Sequence, residues 1–92
     1  MSIQWLVEVI ESRRQNPSDK SYTSSLFVEG LPKIAQKVGE EGTEVVVAAL
    51  AQDDQRLIEE IADLTYHTLV LLAARKLTIQ DVLAELQRRH QR

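Results

Sequence analysis

Two acidic pairs, Glu41 with Glu44 and Glu60 with Asp63, each carry their carboxylates three positions apart. At that spacing on a helix both side chains of a pair can point to one spot. On a helix at ~100° per residue, Ile34, Val38, Glu41, Val45 and Ala48 fall within about 80° of one another. Glu41 therefore lies inside an apolar stripe, with Glu44 about 60° away and Glu40 further round the same side. In the following segment Glu60, Leu64, His67 and Leu71 share a stripe about 60° wide, and Asp63 flanks it. Ionised carboxylates on a core-facing stripe are costly unless they are paired or bind a metal.

Four carboxylates converging between neighbouring helices would suit a hard cation. Mg²⁺ prefers octahedral oxygen ligands and commonly keeps waters or takes substrate phosphates. An open site of that kind points to metal-assisted attack of water on a phosphoryl group. Glu40 and Glu59 lie off the stripes and suit a solvated acidic face equally well. A di-iron bundle is discarded, because it needs Glu-x-x-His on two helices and neither His67 nor His90 has a Glu three residues before it.

The elements that must position these groups are helices. Ile3, Leu6, Val7 and Ile10 recur at helical spacing over 3–15, and Arg13 and Arg14 close the last turn where they complement the helix dipole. Asn16-Pro17 ends that helix. NPSDKSY is expected to be a loop, and Thr23 to cap a short helix ending near Gly30. Pro32 suits the first turn of a helix running to about residue 51. Asp53 and Asp54 are placed to cap the next, over roughly 54–75. Thr78 and Asp81 resemble a capping box for a last helix over 79–90, with Arg88, Arg89 and Arg92 near its end. The expected fold is thus all-α, a bundle of four to five helices in one domain over 1–92. A short acidic connection makes the two long helices antiparallel neighbours.

The bulk numbers agree. The chain has 92 residues, enough for one domain that buries only roughly 60–65% of its unfolded surface. Ile61–Ala74 is apolar on nearly all sides, so a homodimer or larger bundle is expected, the alternative being a covered monomeric core. There are no cysteines, which excludes disulfides and thiolate metal sites. A net charge of -3 gives no basic footprint for nucleic acid. No apolar run approaches the ~18–20 residues of a membrane span, and the start MSIQWLVEVIESRR lacks a basic region ahead of its apolar residues. A cytoplasmic location without membrane association is the expectation.

Glu41-x-x-Glu44, a gap of fifteen residues and Glu60-x-x-Asp63 resemble the signature of the all-α nucleoside triphosphate pyrophosphohydrolases, the MazG-like superfamily. SYTSSLF (21–27), GLPKIAQKVGEEGTEVVVAAL (30–50), LIEEIADLTYHTLVLLAAR (57–75) and LTIQDVLAEL (77–86) resemble one branch of it, the phosphoribosyl-ATP pyrophosphatases, over nearly the whole chain. The resemblance implies Mg²⁺-dependent hydrolysis of phosphoribosyl-ATP to phosphoribosyl-AMP and pyrophosphate, the second step of histidine biosynthesis, by a dimeric helical bundle. Some members are fused to a cyclohydrolase; this chain looks like the stand-alone form. Carried over, Glu41, Glu44, Glu60 and Asp63 would bind the metal. Glu40 and Glu41 would act in catalysis, Glu40 through a second ion or by orienting water. Lys37 would reach a phosphate or pair with Glu41, and Lys33, one turn earlier, is a weaker candidate. Tyr22 and Thr23 would contact substrate or serve capping and packing. His67 is expected to be a satisfied core residue that could also steady Asp63.

The chain departs from that family at Gly42, where Ala is usual, and at Lys76, where Gly is usual. Two rival functions remain: a sister enzyme acting on another nucleotide such as dCTP or dUTP, and a non-enzymatic helical dimerisation module whose acidic stripe meets a basic partner.

Overall fold

Each helix begins where a short polar side chain can serve the unpaired N–H groups of the first turn, with one exception. The computed structural model describes residues 2–91. Ser2 accepts a hydrogen bond from the Trp5 amide and opens α1, Ile3–Gln15. Ser21 does the same for the Ser24 amide and opens α2, Tyr22–Glu29. Asp53 caps α4, Asp54–Ala74, and Thr78 with Asp81 forms a complete capping box on α5, Ile79–His90. The exception is α3, Leu31–Ala51, which has Pro32 in its first turn and no side-chain cap. Gly30 serves both helices at that junction: its φ of 93° is a conformation L side chains rarely adopt. The described residues form these five helices and no strand, as the periodicity predicts. Arg92 lies outside the described residues.

Thr23 corrects the expectation for the second helix. It is not the cap but sits inside the first turn, buried, sharing a hydrogen bond with the Tyr66 hydroxyl. Ser21 leads because capping needs an extended residue whose oxygen reaches the amide three residues on. Ser24, also buried, is fully used: its hydroxyl accepts from the Ser18 amide and donates to the Arg13 carbonyl, tying the loop to the end of α1.

α3 and α4 share the most extensive interface in the molecule. Gln52 and Asp53 alone join them, so they run antiparallel. The buried core is small: Ile10, Leu26, Ile34, Leu69 and Val70, with Leu6, Val7, Phe27, Tyr66 and others packed around it. Of the apolar stretch Ile61–Ala74, Leu69 and Val70 are buried, but Ile61 is exposed. Val46, Val47 and Leu50 on the last turns of α3, and Ile58 and Ile61 on the first turns of α4, stand open around the same turn. α5 buries no residue, and its Val82, Leu83 and Leu86 are likewise exposed. No helix among the described residues is long and apolar enough to cross a membrane.

α4 ends in a Schellman motif: the Leu77 amide donates to the Leu72 carbonyl at 2.8 Å and the Lys76 amide to the Ala73 carbonyl at 3.0 Å. The motif requires a left-handed residue, and Lys76 adopts φ 59°. A side chain there costs roughly 1–2 kcal/mol that glycine avoids. Gly42, by contrast, lies in the middle of α3, and a Cβ built on it meets nothing within 4 Å. Lys76→Gly and Gly42→Ala should therefore each raise the thermal midpoint, by about 2–8 °C for a domain of this size. Circular-dichroism melts of the two variants check this; a lower midpoint for Lys76→Gly would contradict the left-handed assignment.

Candidate metal centre

Antiparallel packing pairs positions whose numbers have a constant sum, so Glu41 of α3 faces Asp63 of α4, and Glu44 faces Glu60. The structure brings one oxygen from each of Glu41, Glu60 and Asp63 within 4.8 Å of the others. Glu41 is only 6% exposed and Glu60 4%, whereas Asp63 is open to solvent. The acidic stripe is thus truly inside at two positions, as the helical wheel requires.

Each buried carboxylate is half satisfied. Lys37, one turn before Glu41, lies 3.4 Å from Glu41 Oε1. Arg56, one turn before Glu60, donates to Glu60 Oε1 at 2.6 Å. The second oxygens, Glu41 Oε2 and Glu60 Oε2, are buried with no hydrogen-bond partner. An orphaned carboxylate oxygen in a low-dielectric setting costs several kcal/mol unless a cation meets it. Oxygen donors alone, two of them orphaned and a third beside them, fit a hard divalent cation of the Mg²⁺ type. Lys37 and Arg56 by themselves leave the acidic cluster under-neutralised.

Glu44 stands on the exposed side of the cluster. A proton on Glu44 would be shared with Glu60, and the charge of Glu41 and a shared hydrogen bond with it act the same way, pushing the pKa up to about 7. With all of these carboxylates ionised there is no such hydrogen, and Glu41 Oε2 and Glu60 Oε2 are the oxygens left without a partner. With no cation present, the crowded carboxylates keep a proton between them. Glu40 is not part of this group. It is exposed and bonds to Gln36 Nε2 at 2.7 Å and Lys37 Nζ at 3.5 Å. The Gln36 hydrogen bond, opposed by slight desolvation and helped by Lys37 and Lys33, holds its carboxyl below the usual range. Partial burial works against the Lys37 charge, but Tyr22, Glu41 and Glu40 outweigh it and leave its pKa above the ordinary lysine value. Lys33 is half-buried on the Glu40 side, a turn further from the cluster.

The histidine does something other than steady the Asp63 carboxylate. His67 is buried, and its Nδ1 lies 2.8 Å from the backbone carbonyl of Asp63. A carbonyl only accepts, so Nδ1 carries the hydrogen, and in the neutral ring Nε2 accepts from the Tyr22 hydroxyl at 3.1 Å. Tyr22, Tyr66 and His67 also pack ring against ring, with centroids 4.9–6.3 Å apart. α2 is thereby pinned to α4. Tyr22 remains 53% exposed on the Lys37 side of the carboxylates, while the Thr23 hydroxyl is occupied by Tyr66 and faces no open space.

Sequence reasoning missed Arg56. Its signal was present: Arg56 precedes Glu60 by four residues, as Lys37 precedes Glu41, an i,i+4 pattern with the basic residue on the N-terminal side. A shallow hollow of about 250 Å³ opens beside it, lined by Glu44, Val47, Gln52, Arg56 and Glu60. A larger cavity of about 450 Å³ lies elsewhere, between α1, the end of α4 and the start of α5. Its lining is mainly apolar, and it is the gap left by the loosely seated α5, remote from the carboxylates.

The match to known proteins covers the same ground. The family model described as phosphoribosyl-ATP pyrophosphohydrolase matches residues 4–90. A phosphoribosyl-ATP pyrophosphatase of Clostridium botulinum is 46% identical over 87 residues, spanning 95% of this chain and 79% of the relative. The phosphoribosyl-ATP pyrophosphatase of Pyrobaculum calidifontis is 52% identical over 84 residues, 91% of this chain and 89% of the relative. That of Erythrobacter litoralis is 51% identical over 88 residues, 96% and 85% respectively.

The raised Glu44 pKa carries a stability consequence. The folded chain binds this proton above the ordinary carboxylate pKa of 4.5, so the unfolded state releases it first as pH rises. Without divalent cations, stability should therefore fall as pH climbs from about 4.5 to about 7. Glu44→Gln should flatten that decline, and millimolar Mg²⁺ should offset it in the wild type. Thermal midpoints across the interval, with and without Mg²⁺, give the check.

Proposed function

Because the chain belongs to the phosphoribosyl-ATP pyrophosphohydrolase family, we propose that it hydrolyses phosphoribosyl-ATP to phosphoribosyl-AMP and pyrophosphate at the carboxylates of α3 and α4. The observation that carries this reading is the pair of buried, orphaned oxygens on Glu41 and Glu60. Glu41, Glu60 and Asp63, with Glu44 at the open edge, are the residues that would hold Mg²⁺. The ion supplies charge neutralisation at phosphate oxygens and acidifies a water when bound.

The chain's own groups do the rest. Glu41 and Glu60 keep one oxygen on Lys37 and Arg56 and offer the other inward, so both carboxylates arrive oriented. Lys37 sits at the rim, close enough to the cluster to contact a phosphate there. Lys33 extends the positive rim outward. Tyr22 presents a half-exposed ring held by His67, a flat surface on the same side. Thr23 acts through Tyr66 by fixing that wall. A carboxylate of the cluster takes the water's proton. Glu40 lies outside the cluster, on the lysine side, so a direct part in that step falls to the carboxylates inside it.

Two experiments address this reading. Pyrophosphate release should be fast from phosphoribosyl-ATP and slow across a panel of dNTPs. The reverse ranking would move the chain to a sister activity. Glu41→Gln should lower turnover at least about a hundredfold while leaving helical content intact, and should lose the rise in melting midpoint that Mg²⁺ gives the wild type. A fully active Glu41→Gln would remove that residue from the centre.

The exposed Val46, Leu50, Ile58 and Ile61 support a homodimer beside the α3–α4 turn. Leu50→Asp, at a side chain 83% exposed in the single chain, should leave the fold intact and shift sedimentation from dimer to monomer. An unchanged sedimentation coefficient would place the interface elsewhere.

A further inference from the structure

The carboxylate cluster has two unlike ends. Because α3 and α4 run antiparallel, Lys37 and Arg56 flank it from opposite directions along the bundle. The Lys37 end is walled by Tyr22, with His67 and Tyr66 behind it. Such rings suit the nucleoside part of a substrate. The Arg56 end opens on the hollow lined by Glu44, Val47, Gln52, Arg56 and Glu60, which contains no aromatic residue. It offers a guanidinium, a side-chain amide and the carboxylate of buried Glu60, whose Oε2 has no partner.

We propose that this hollow is the pyrophosphate subsite, and that Arg56 is its direct anion contact. The inference rests on the activity proposed above and assigns an orientation to it: nucleoside toward Tyr22, departing phosphates toward Arg56. Several features carry it. A guanidinium has five N–H donors, and here Nη1 serves Glu59 and Nη2 serves Glu60. The Glu59 partner is exposed, so that pair is weak and easily exchanged for a phosphate held by two parallel hydrogen bonds. The Glu60 pair is largely shielded on the carboxylate side and stays in place, which fixes the guanidinium at the rim of the hollow. Anionic phosphates could not enter beside Glu44 and Glu60 unaided. Arg56 offsets part of that repulsion, and Glu60, with Oε2 unpartnered, is among the residues that would hold a cation to offset the rest. Gln52 adds a neutral donor that an uncleaved or cleaved phosphate group can share.

The test is calorimetric titration of inorganic pyrophosphate, with Mg²⁺ present, into the wild type, Arg56→Gln and Arg56→Lys. Loss of charge-assisted hydrogen bonds should weaken pyrophosphate binding at least about tenfold in Arg56→Gln. Arg56→Lys, which keeps the charge without the fork, should fall between. Product inhibition by pyrophosphate should weaken in parallel, and KM for phosphoribosyl-ATP should rise more than kcat falls. Wild-type pyrophosphate affinity in a folded Arg56→Gln would overturn the subsite. If that variant fails to fold, Arg56→Lys with undiminished affinity would do the same. Failure of the wild type to release pyrophosphate from phosphoribosyl-ATP would sink the activity instead, while the titration would still report on the hollow.

Discussion

The arrangement on which everything else depends is a pair of buried glutamates, each neutralised on one oxygen only. Glu41 and Glu60 sit at core positions of the two longest helices, and each meets a basic side chain from the preceding turn of its own helix. Two acids buried against each other would ordinarily push the helices apart or take up protons. Here the basic partners stabilise the outer oxygens, and the inner ones are left facing inward without partners. The fold therefore contains a charge deficit at a defined place. The deficit is one that a hard divalent cation would offset, and the residues that would hold it lie beside an open edge.

The remaining elements make sense as supports for that deficit. α2 contributes no carboxylate, yet it fixes the wall beside the cluster through Tyr22–His67 and Thr23–Tyr66. α1 holds α2 through Ser24, whose hydroxyl bridges the loop and the end of the first helix. The core that binds these pieces is only a handful of side chains. A small core leaves much apolar surface uncovered, at the α3–α4 turn and along α5.

Much of this was legible in the sequence, for identifiable reasons. Helix existence and limits followed from period, Pro32, Gly30 and the Thr78–Asp81 box, because those signals are local. The burial of Glu41 followed from a stripe whose other four members are apolar, and that of Glu60 from a stripe it shares with Leu64, His67 and Leu71. The identity of the substrate came from resemblance alone. What failed was tertiary. Ser21 and Thr23 are both competent caps, and only the position of Tyr66 decides that Thr23 turns inward. His67 is the satisfied core residue expected, though its partners, a backbone oxygen of its own helix and a tyrosine from another, are a choice no spacing rule encodes. Glu40 looks like part of the acidic motif in the sequence, yet it lies a further 100° or so round the helix from its neighbour and joins the lysines outside. Arg56 carries no sign of its role beyond an i,i+4 spacing to Glu60, which permits that ion pair without requiring it.

The two-residue connection between α3 and α4 has a kinetic side. Lys37 through Asp63 supply every charged group of the cluster, so the whole centre belongs to one helical hairpin. Contacts of such short sequence separation demand little loop-closure entropy and form early in folding. The acidic groups of α3 and α4 are thus brought together by a local hairpin and not by the closing of the whole bundle.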